Sequence, residues 1–314
     1  MRVGLRHPSR LLVIVTGWLL TGGPALAQFG GGGPVVGNST VGYIDSSVPV
    51  DVVRFRFDAA FNNVVPSRGE FFYARSPSLP TDKAETKVDY QEFSVYAEKT
   101  VTDRFSLFVE APYRFINPTV DQNANGLGDM NAGFKWAFYR DDDHLLSFQL
   151  RTYAPTGNGN LGLGTSHPSL EPALLGYSRI TDRLRTEGEL RLFVPITQTP
   201  GVPGAVSGGS SDFASTVFRF GLGLGYDAYQ SGRFVISPVA ELVGWVFLNG
   251  QKTVNPFGNA GADVSAAGDT VVNLKLGTRF KVRDFGDLYV GYGRCLTTQS
   301  MYRDIFRAEF RLYF

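Results

Sequence analysis

The chain has 314 residues, and its 30 basic and 29 acidic side chains leave a formal charge of +1, too balanced to hold nucleic acid through phosphate contacts. One cysteine, Cys295, forbids an internal disulfide, and three histidines leave few residues for a catalytic constellation. Gly (37), Phe (25) and Tyr (14) beside only three Met suit strands, tight turns and interfacial aromatic belts better than a helical domain.

The first 27 residues read as a cleavable signal peptide. Arg2, Arg6 and Arg10 form a basic region, residues 11–20 are an apolar core too short to span a bilayer as a helix, and Ala25-Leu26-Ala27 is a small-x-small cleavage site. With Gln28 next, a lipoprotein anchor is excluded. Removing the three leader arginines leaves 27 basic against 29 acidic residues, a net charge of −2. No later stretch approaches ~18 uninterrupted apolar residues, so a membrane could be crossed only by strands. Residues 28–48 are rich in Gly, Ser and Pro without a sustained period, and are expected to be a flexible periplasmic segment leading into a barrel over 49–314.

From Asp51 onward a period-2 alternation recurs. It predicts strands over 51–61, 88–100, 104–116, 129–139, 145–155, 169–180, 183–195, 213–227, 232–248, 269–282, 287–295 and 303–314. The expected fold class is therefore all-β, a transmembrane antiparallel up-and-down barrel of about 12 strands. Connection lengths alternate: 62–87, 117–128, 156–168, 196–212 and 249–268 are long, whereas those near 101–103, 140–144, 181–182, 230–231 and 284–286 are tight. Only 296–302 is short where a long one is due. A soluble sandwich has no reason to gather its long loops at one end, but an outer-membrane barrel has short periplasmic turns and longer outer loops.

Alternation also sorts the side chains by face. In the last strand Phe306, Ala308, Phe310, Leu312 and Phe314 oppose Arg303, Ile305, Arg307, Glu309, Arg311 and Tyr313. A terminal Phe314 on such a strand resembles the C-terminal assembly signal of bacterial outer-membrane β-barrels. The resemblance implies recognition by the barrel-assembly machinery and surroundings of outer-membrane lipid and lipopolysaccharide. The face assigned to the lumen carries Arg54, Arg56, Glu92, Glu98, Glu110, Arg114, Lys135, Arg151, Glu187, Glu189, Arg191, Arg219, Glu241, Lys275, Arg279, Arg307, Glu309 and Arg311, together with Asp58, Glu171, Arg179 and Arg185. Such side chains either set the field of a water-filled pore or pair across strands to hold its wall. Val235, Val239, Val243 and Phe247 fall on the same face, where part of the wall is expected to pack against one of the loops folded inward. Twelve strands give a backbone radius of roughly 12 Å and an opening of about 5–7 Å, enough for small solutes. Trp136, Tyr139, Tyr153, Trp245, Tyr292 and Tyr313 are candidates for interfacial girdles.

Motifs for other chemistry are weak. His144 lies in an acidic turn. His167-Pro168-Ser169 has the His-x-Ser spacing of the outer-membrane phospholipase family, but residues 177–183 lack the amide partner that family would require. Asp121-Gln122-Asn123-Ala124-Asn125-Gly126 matches the first half of a calcium loop, with Asp129 at the ninth position, yet Ala132 stands where the chelating acid belongs. Gly221-Leu222-Gly223-Leu224-Gly225 opens no helix and is a poor nucleotide signal; inward glycines there would make room for a neighbour. No cofactor and no metal are expected.

Gly126-Leu127-Gly128-Asp129, Ala154-Pro155-Thr156-Gly157 and Leu163-Gly164-Thr165, each placed at a strand end, resemble the outer-membrane transporter family associated with meta-pathway phenol degradation, over roughly residues 88–314. The resemblance implies a barrel admitting small, often aromatic or apolar solutes. The expectation is a non-enzymatic outer-membrane pore or facilitator for small solutes. Alternatives are a structural or adhesive barrel with an occluded lumen and a phospholipase-like hydrolase at the rim.

Overall fold

The computed structural model describes residues 39–65, 87–119, 122–197, 213–254, 262–283 and 285–314; the expected signal peptide, residues 28–38 and Asp121 lie outside the described residues. The main chain forms twelve long strands: β1 (Val52–Asn63), β2 (Val88–Thr102), β3 (Phe105–Pro118), β4 (Asn131–Arg140), β5 (His144–Tyr153), β6 (Ser169–Arg179), β7 (Leu184–Pro195), β8 (Val217–Tyr226), β9 (Phe234–Phe247), β10 (Thr270–Val282), β11 (Gly286–Cys295) and β12 (Asp304–Tyr313). Each pairs antiparallel with its sequence neighbours, and β1 pairs with β12 to close the barrel. Short pieces decorate it: Ala124–Leu127 adds to β3, Tyr229–Ser231 adds to β9, and Gln251–Val254 forms a hairpin with Ala262–Ser265.

Parity decides what faces outward. Phe55, Phe93, Leu107, Trp136, Leu146, Leu174, Leu190, Leu222, Leu242, Leu276, Leu288 and Phe306, one from each strand in order, are all exposed, and the charged positions between them are mostly buried. A barrel folded for water would do the reverse, so this exterior is solvated by hydrocarbon and the chain is a transmembrane barrel of the outer-membrane type. The strands pair along their length within the closed sheet, interrupted only by local register shifts, as a bilayer requires of a spanning sheet. The five shorter connections and the start of β1 lie at one end, and the longer connections lie at the other.

The interior is not empty. Residues 39–50 run inside the barrel without secondary structure, and they touch β1, β2, β4, β5, β7, β9, β10 and β12. Only a segment in the lumen can reach strands all around the wall. Its path follows from the partners. Ser39 meets Arg311, the bend at Gly42 and Tyr43 meets Arg307, and Val50 returns to Glu98 near the short-turn end. The flexible lead-in expected over 28–48 is therefore corrected for residues 39–48, which are fixed inside. The opening of about 5–7 Å estimated from strand number took no account of this main chain. It sits beside the inward valines of β9, because Val41, Ile44, Val239 and Val243 share one apolar cluster.

Three glycines make the space. A Cβ on Gly221 would lie 2.8 Å from Ile44 Cγ1, one on Gly223 2.4 Å from Val41 Cγ1, and one on Gly225 2.2 Å from Thr40 Oγ1. The alternating Gly-x-Gly-x-Gly of β8 is thus a flat wall against which the inner segment lies. Tyr289 uses the same device on β10 and β11, its ring covering Gly277 and Gly291 while Gly42 packs on it.

Candidate functional site in the barrel interior

A buried irregular backbone must find partners for every N–H and C=O, and residues 39–50 find them in charged side chains of the wall. Glu187 accepts from the N–H groups of Thr40 (2.7 Å) and Val41 (3.4 Å). Glu241 accepts from Gly42 (3.1 Å), Tyr43 (2.9 Å) and Ile44 (3.0 Å), and Glu189 from Asp45 (3.1 Å). Arginines serve the carbonyls: Arg279 donates to Thr40 O (2.7 Å) and Val41 O (2.6 Å), Arg311 to Ser39 O and Val41 O, and Arg307 to Gly42 O. Lys135 donates to Val48 O at 3.3 Å. Interior charge of both signs is what an uncoiled peptide needs, because acids satisfy one half of its backbone and arginines the other.

The remaining interior charges pair across strands. Arg307 grips Asp58 with two bonds of 2.7 and 2.6 Å, Arg114 reaches Glu92 at 2.6 Å, and Arg56 lies 3.2 Å from both Glu92 and Glu110. Glu171 receives Arg191 (3.0 Å) and Arg219 (2.8 Å), Glu309 receives Arg279 (3.0 Å) and Arg311 (2.8 Å), and Lys135 pairs with Glu98 at 3.1 Å. Opposed positions such as Glu92↔Arg114 and Arg151↔Glu171 stand in direct register. Asp45 of the inner segment joins three strands, lying 2.7 Å from Arg151, 2.6 Å from Arg191 and 3.8 Å from Arg54. Burial alone would raise its pKa, but those three arginines hold the carboxyl well below its ordinary value.

Apart from Arg179, the charged residues of the face expected to line the lumen are buried or half-buried between the outward apolar ones. Arg54, Glu110 and Arg151 gather at Asp45, Glu187, Glu189 and Glu241 hold backbone amides, and Lys275 stands apart from the carboxylates. Arg185 pairs with Asp227 below the inner segment, and Arg179 leaves the interior to bind Asp143 in a turn (2.7 Å). The sequence gives no direct signal for Asp45 or Tyr43, since neither belongs to a periodic stretch.

On the long-loop side of the bend a cavity of about 180 Å³ remains, bounded by Tyr43, Asp45, Arg56, Glu110, Arg219, Trp245, Lys275, Tyr302 and Arg307 among others. Tyr153 and Trp245 face this interior, 8% and 6% exposed, and Tyr313 donates inward to Asp287 at 2.6 Å. These three are therefore not girdle residues; their parity is that of the charged face. Trp136 and Tyr139 are exterior.

The two weaker motifs resolve as structure. Ser169 Oγ lies 2.9 Å from His167 Nδ1, but both residues are fully buried and Ser169 shares the inward face of β6 with Glu171, away from lipid. Asp129, the one carboxylate of the calcium-like loop among the described residues, accepts the N–H groups of Gly157 (3.0 Å) and Thr165 (2.7 Å) and the Thr165 hydroxyl (2.8 Å). Thr156 Oγ1 donates to Gly128 O (2.8 Å), and Gly164 has no room for a Cβ beside Asp129 and Gly157. The three short motifs around Asp129, Gly157 and Thr165 thus form one clamp that fastens the β5–β6 loop to the entrance of β4. No cluster of three metal-binding side chains occurs among the described residues.

No protein-family model and no curated protein matches the chain. Among solved structures, the NanC porin is 10% identical over 83% of this chain and 98% of its own, with a TM-score of 0.48. The KdgM porin is 10% identical over 84% of this chain and 99% of its own, with a TM-score of 0.43. The COG4313 outer membrane channel from Pseudomonas putida F1 is 11% identical over 85% of this chain and 97% of its own, with a TM-score of 0.55. At that identity the likeness to the last is one of fold: an outer-membrane β-barrel.

Proposed function

We propose that the protein is a pore for small solutes whose conductance is set by residues 39–50, a stopper held in the lumen by side chains alone. The observation that carries this reading is the mode of attachment. Among the described residues no strand pairs with the stopper; its amides bond to Glu187, Glu189 and Glu241, and its carbonyls bond to arginines that also have carboxylate partners of their own. Such a segment can leave without breaking the barrel, whose ladder closes independently through β1 and β12. Outer-membrane lipid and lipopolysaccharide surround the exterior, the long loops face outward, and the C-terminal segment ending at Phe314 is the element presented to the assembly machinery. The meta-pathway resemblance supports the pore reading at its finer level, with aromatic or apolar solutes as the cargo.

Planar-bilayer recording of the purified protein against a variant lacking residues 39–48 tests this. The deletion is expected to give well-resolved, larger conductance steps. If it stays as silent as the parent while remaining a folded barrel, the occluded structural barrel is the correct reading, favoured then by the filled lumen itself.

A further inference from the structure

The cavity above the stopper has two unlike sides. Val243, Trp245, Met301, Tyr302 and Ile305 make one apolar wall, and Lys275 is the cation set into it. The residue is 2% exposed and its amino group donates to Tyr302 Oη at 2.6 Å; no carboxylate of the described residues pairs with it. The acids nearest in the field are already engaged, Asp58 by Arg307 and Glu241 by the amides of residues 42–44. Aromatic faces surround the charge, with Nζ 3.6 Å from the ring centroid of Tyr43, 5.0 Å from Tyr302 and 5.7 Å from Trp245.

Around Lys275 the polar atoms left over are donors; the cavity's unpartnered acceptors, Asn131 Oδ1 and Glu189 Oε1, belong to β4 and β7, away from the β9–β12 wall. Trp245 Nε1 and Tyr43 Oη are both buried with no partner among the described residues, and the ammonium has donors to spare beyond the one it gives to Tyr302. Burial keeps the Tyr43 hydroxyl protonated, its pKa raised far above that of free phenol. A buried lysine with unsatisfied N–H and O–H groups around it and an apolar wall behind it is complementary to an anionic oxygen carried on an apolar body, whose charge in turn favours the protonated amine. The volume, about 180 Å³, exceeds the roughly 150 Å³ that admits a benzene-sized molecule into an apolar cavity.

We propose that this cavity is a binding site for small organic monocarboxylates, the carboxylate on Lys275 and Trp245 and the hydrocarbon body on the Val243–Ile305 wall. This rests on the pore reading for its purpose, since it names the solute class, but the binding itself requires no conduction.

Calorimetry on the full-length protein in detergent, with sodium cyclohexanecarboxylate as probe and the neutral cyclohexanecarboxamide as its isostere at constant chloride, decides the matter. Saturable uptake of the carboxylate, at least tenfold tighter than the amide, is expected. Lys275→Met should weaken it tenfold or more, Lys275→Arg should stay within a few-fold, and Trp245→Phe should lose a few-fold while keeping the ring. Equal binding of carboxylate and amide, no saturable heat, or full affinity in Lys275→Met would overturn the proposal. If the Met variant does not fold, the carboxylate–amide comparison on the parent protein still decides. A pore that conducts without binding refutes the site and leaves the pore; a silent barrel that binds refutes the pore and leaves the site.

Discussion

The ring of Tyr43 lies 3.6 Å from Lys275 Nζ, and the same ring lies 4.1 Å from the guanidinium carbon of Arg307. Tyr43 lies at the bend of the inner segment, where Lys275 and Arg307 of the wall both pack on its ring. Each desolvated contact of this kind contributes about 0.5–2 kcal/mol. Tyr43→Ala removes both contacts and should therefore raise the frequency of openings roughly 5- to 1,000-fold in bilayer recordings, with the barrel itself unchanged in heat-modifiable gel mobility.

Glu241 holds three consecutive amides, at 3.1, 2.9 and 3.0 Å. A carboxylate is acceptor only, whereas a Gln amide presents donors toward some of those N–H groups. Glu241→Gln should accelerate deuterium exchange at residues 42–44 by about tenfold or more, given ~1.5–3 kcal/mol for a hydrogen bond to a charged group. Mass spectrometry of that peptide reads the effect, and exchange in β9 should not change.

Asp45 gives the pH dependence. Its pKa is depressed when the segment is seated, so its contribution to seating is complete above the ordinary carboxylate value near ~3.9 and fades only as pH falls through the seated value. Between pH 5 and 8 the opening frequency should be flat with respect to this group, rising only in strong acid. Asp45→Asn removes the contribution at every pH, leaving Arg151 and Arg191 without one of their partners. A conductance that is raised and pH-independent across the same range is the expected result.

Asp129 bonds two loop amides and the Thr165 hydroxyl. Asp129→Asn should free the β5–β6 loop, and thermolysin should then cut near Leu161 and Leu163 at a rate ~10-fold above the parent, by the same charged-bond magnitude. Leu163 is 3% exposed in the intact protein, so cleavage there requires the loop to open, whereas Leu161 is already exposed and is held only by the fold of the loop.

The barrel was legible because its rule is local. Period-2 alternation needs only neighbouring residues, and it located all twelve strands and their two faces. The stopper was not, because residues 39–50 carry no period and their partners lie far away, Arg311 being 272 positions from Ser39. Its traces were nevertheless present on the wall: valines at 239 and 243 facing inward among charges, and glycines at 221, 223 and 225 with nothing apparent to accommodate. Tyr153, Trp245 and Tyr313 misled for a related reason, since an aromatic near a strand end suits a girdle until parity is counted. The Asp129 clamp lay between these cases. Its three motifs were visible one by one, but only the fold brings Gly157 and Thr165 to the same carboxylate.

Those inward glycines permit a test that leaves every charge in place. A Cβ on Gly223 would meet Val41 Cγ1 at 2.4 Å, closer than real atoms approach, and the Val41 side chain has Gly221–Gly225 and β9 around it with little room to move. A valine at 223 also has high strand propensity, so the barrel gains rather than loses local stability. Overpacking of this kind costs about 1–3 kcal/mol, and the cost falls chiefly on the seated segment, Glu241 Cγ at 3.3 Å being the nearest wall atom. Gly223→Val should fold into the membrane normally, conduct as the variant lacking residues 39–48 does, and expose residues 39–50 to exchange. A valine variant that folds, yet keeps those amides protected, would mean that the segment is as firmly part of the barrel as any strand.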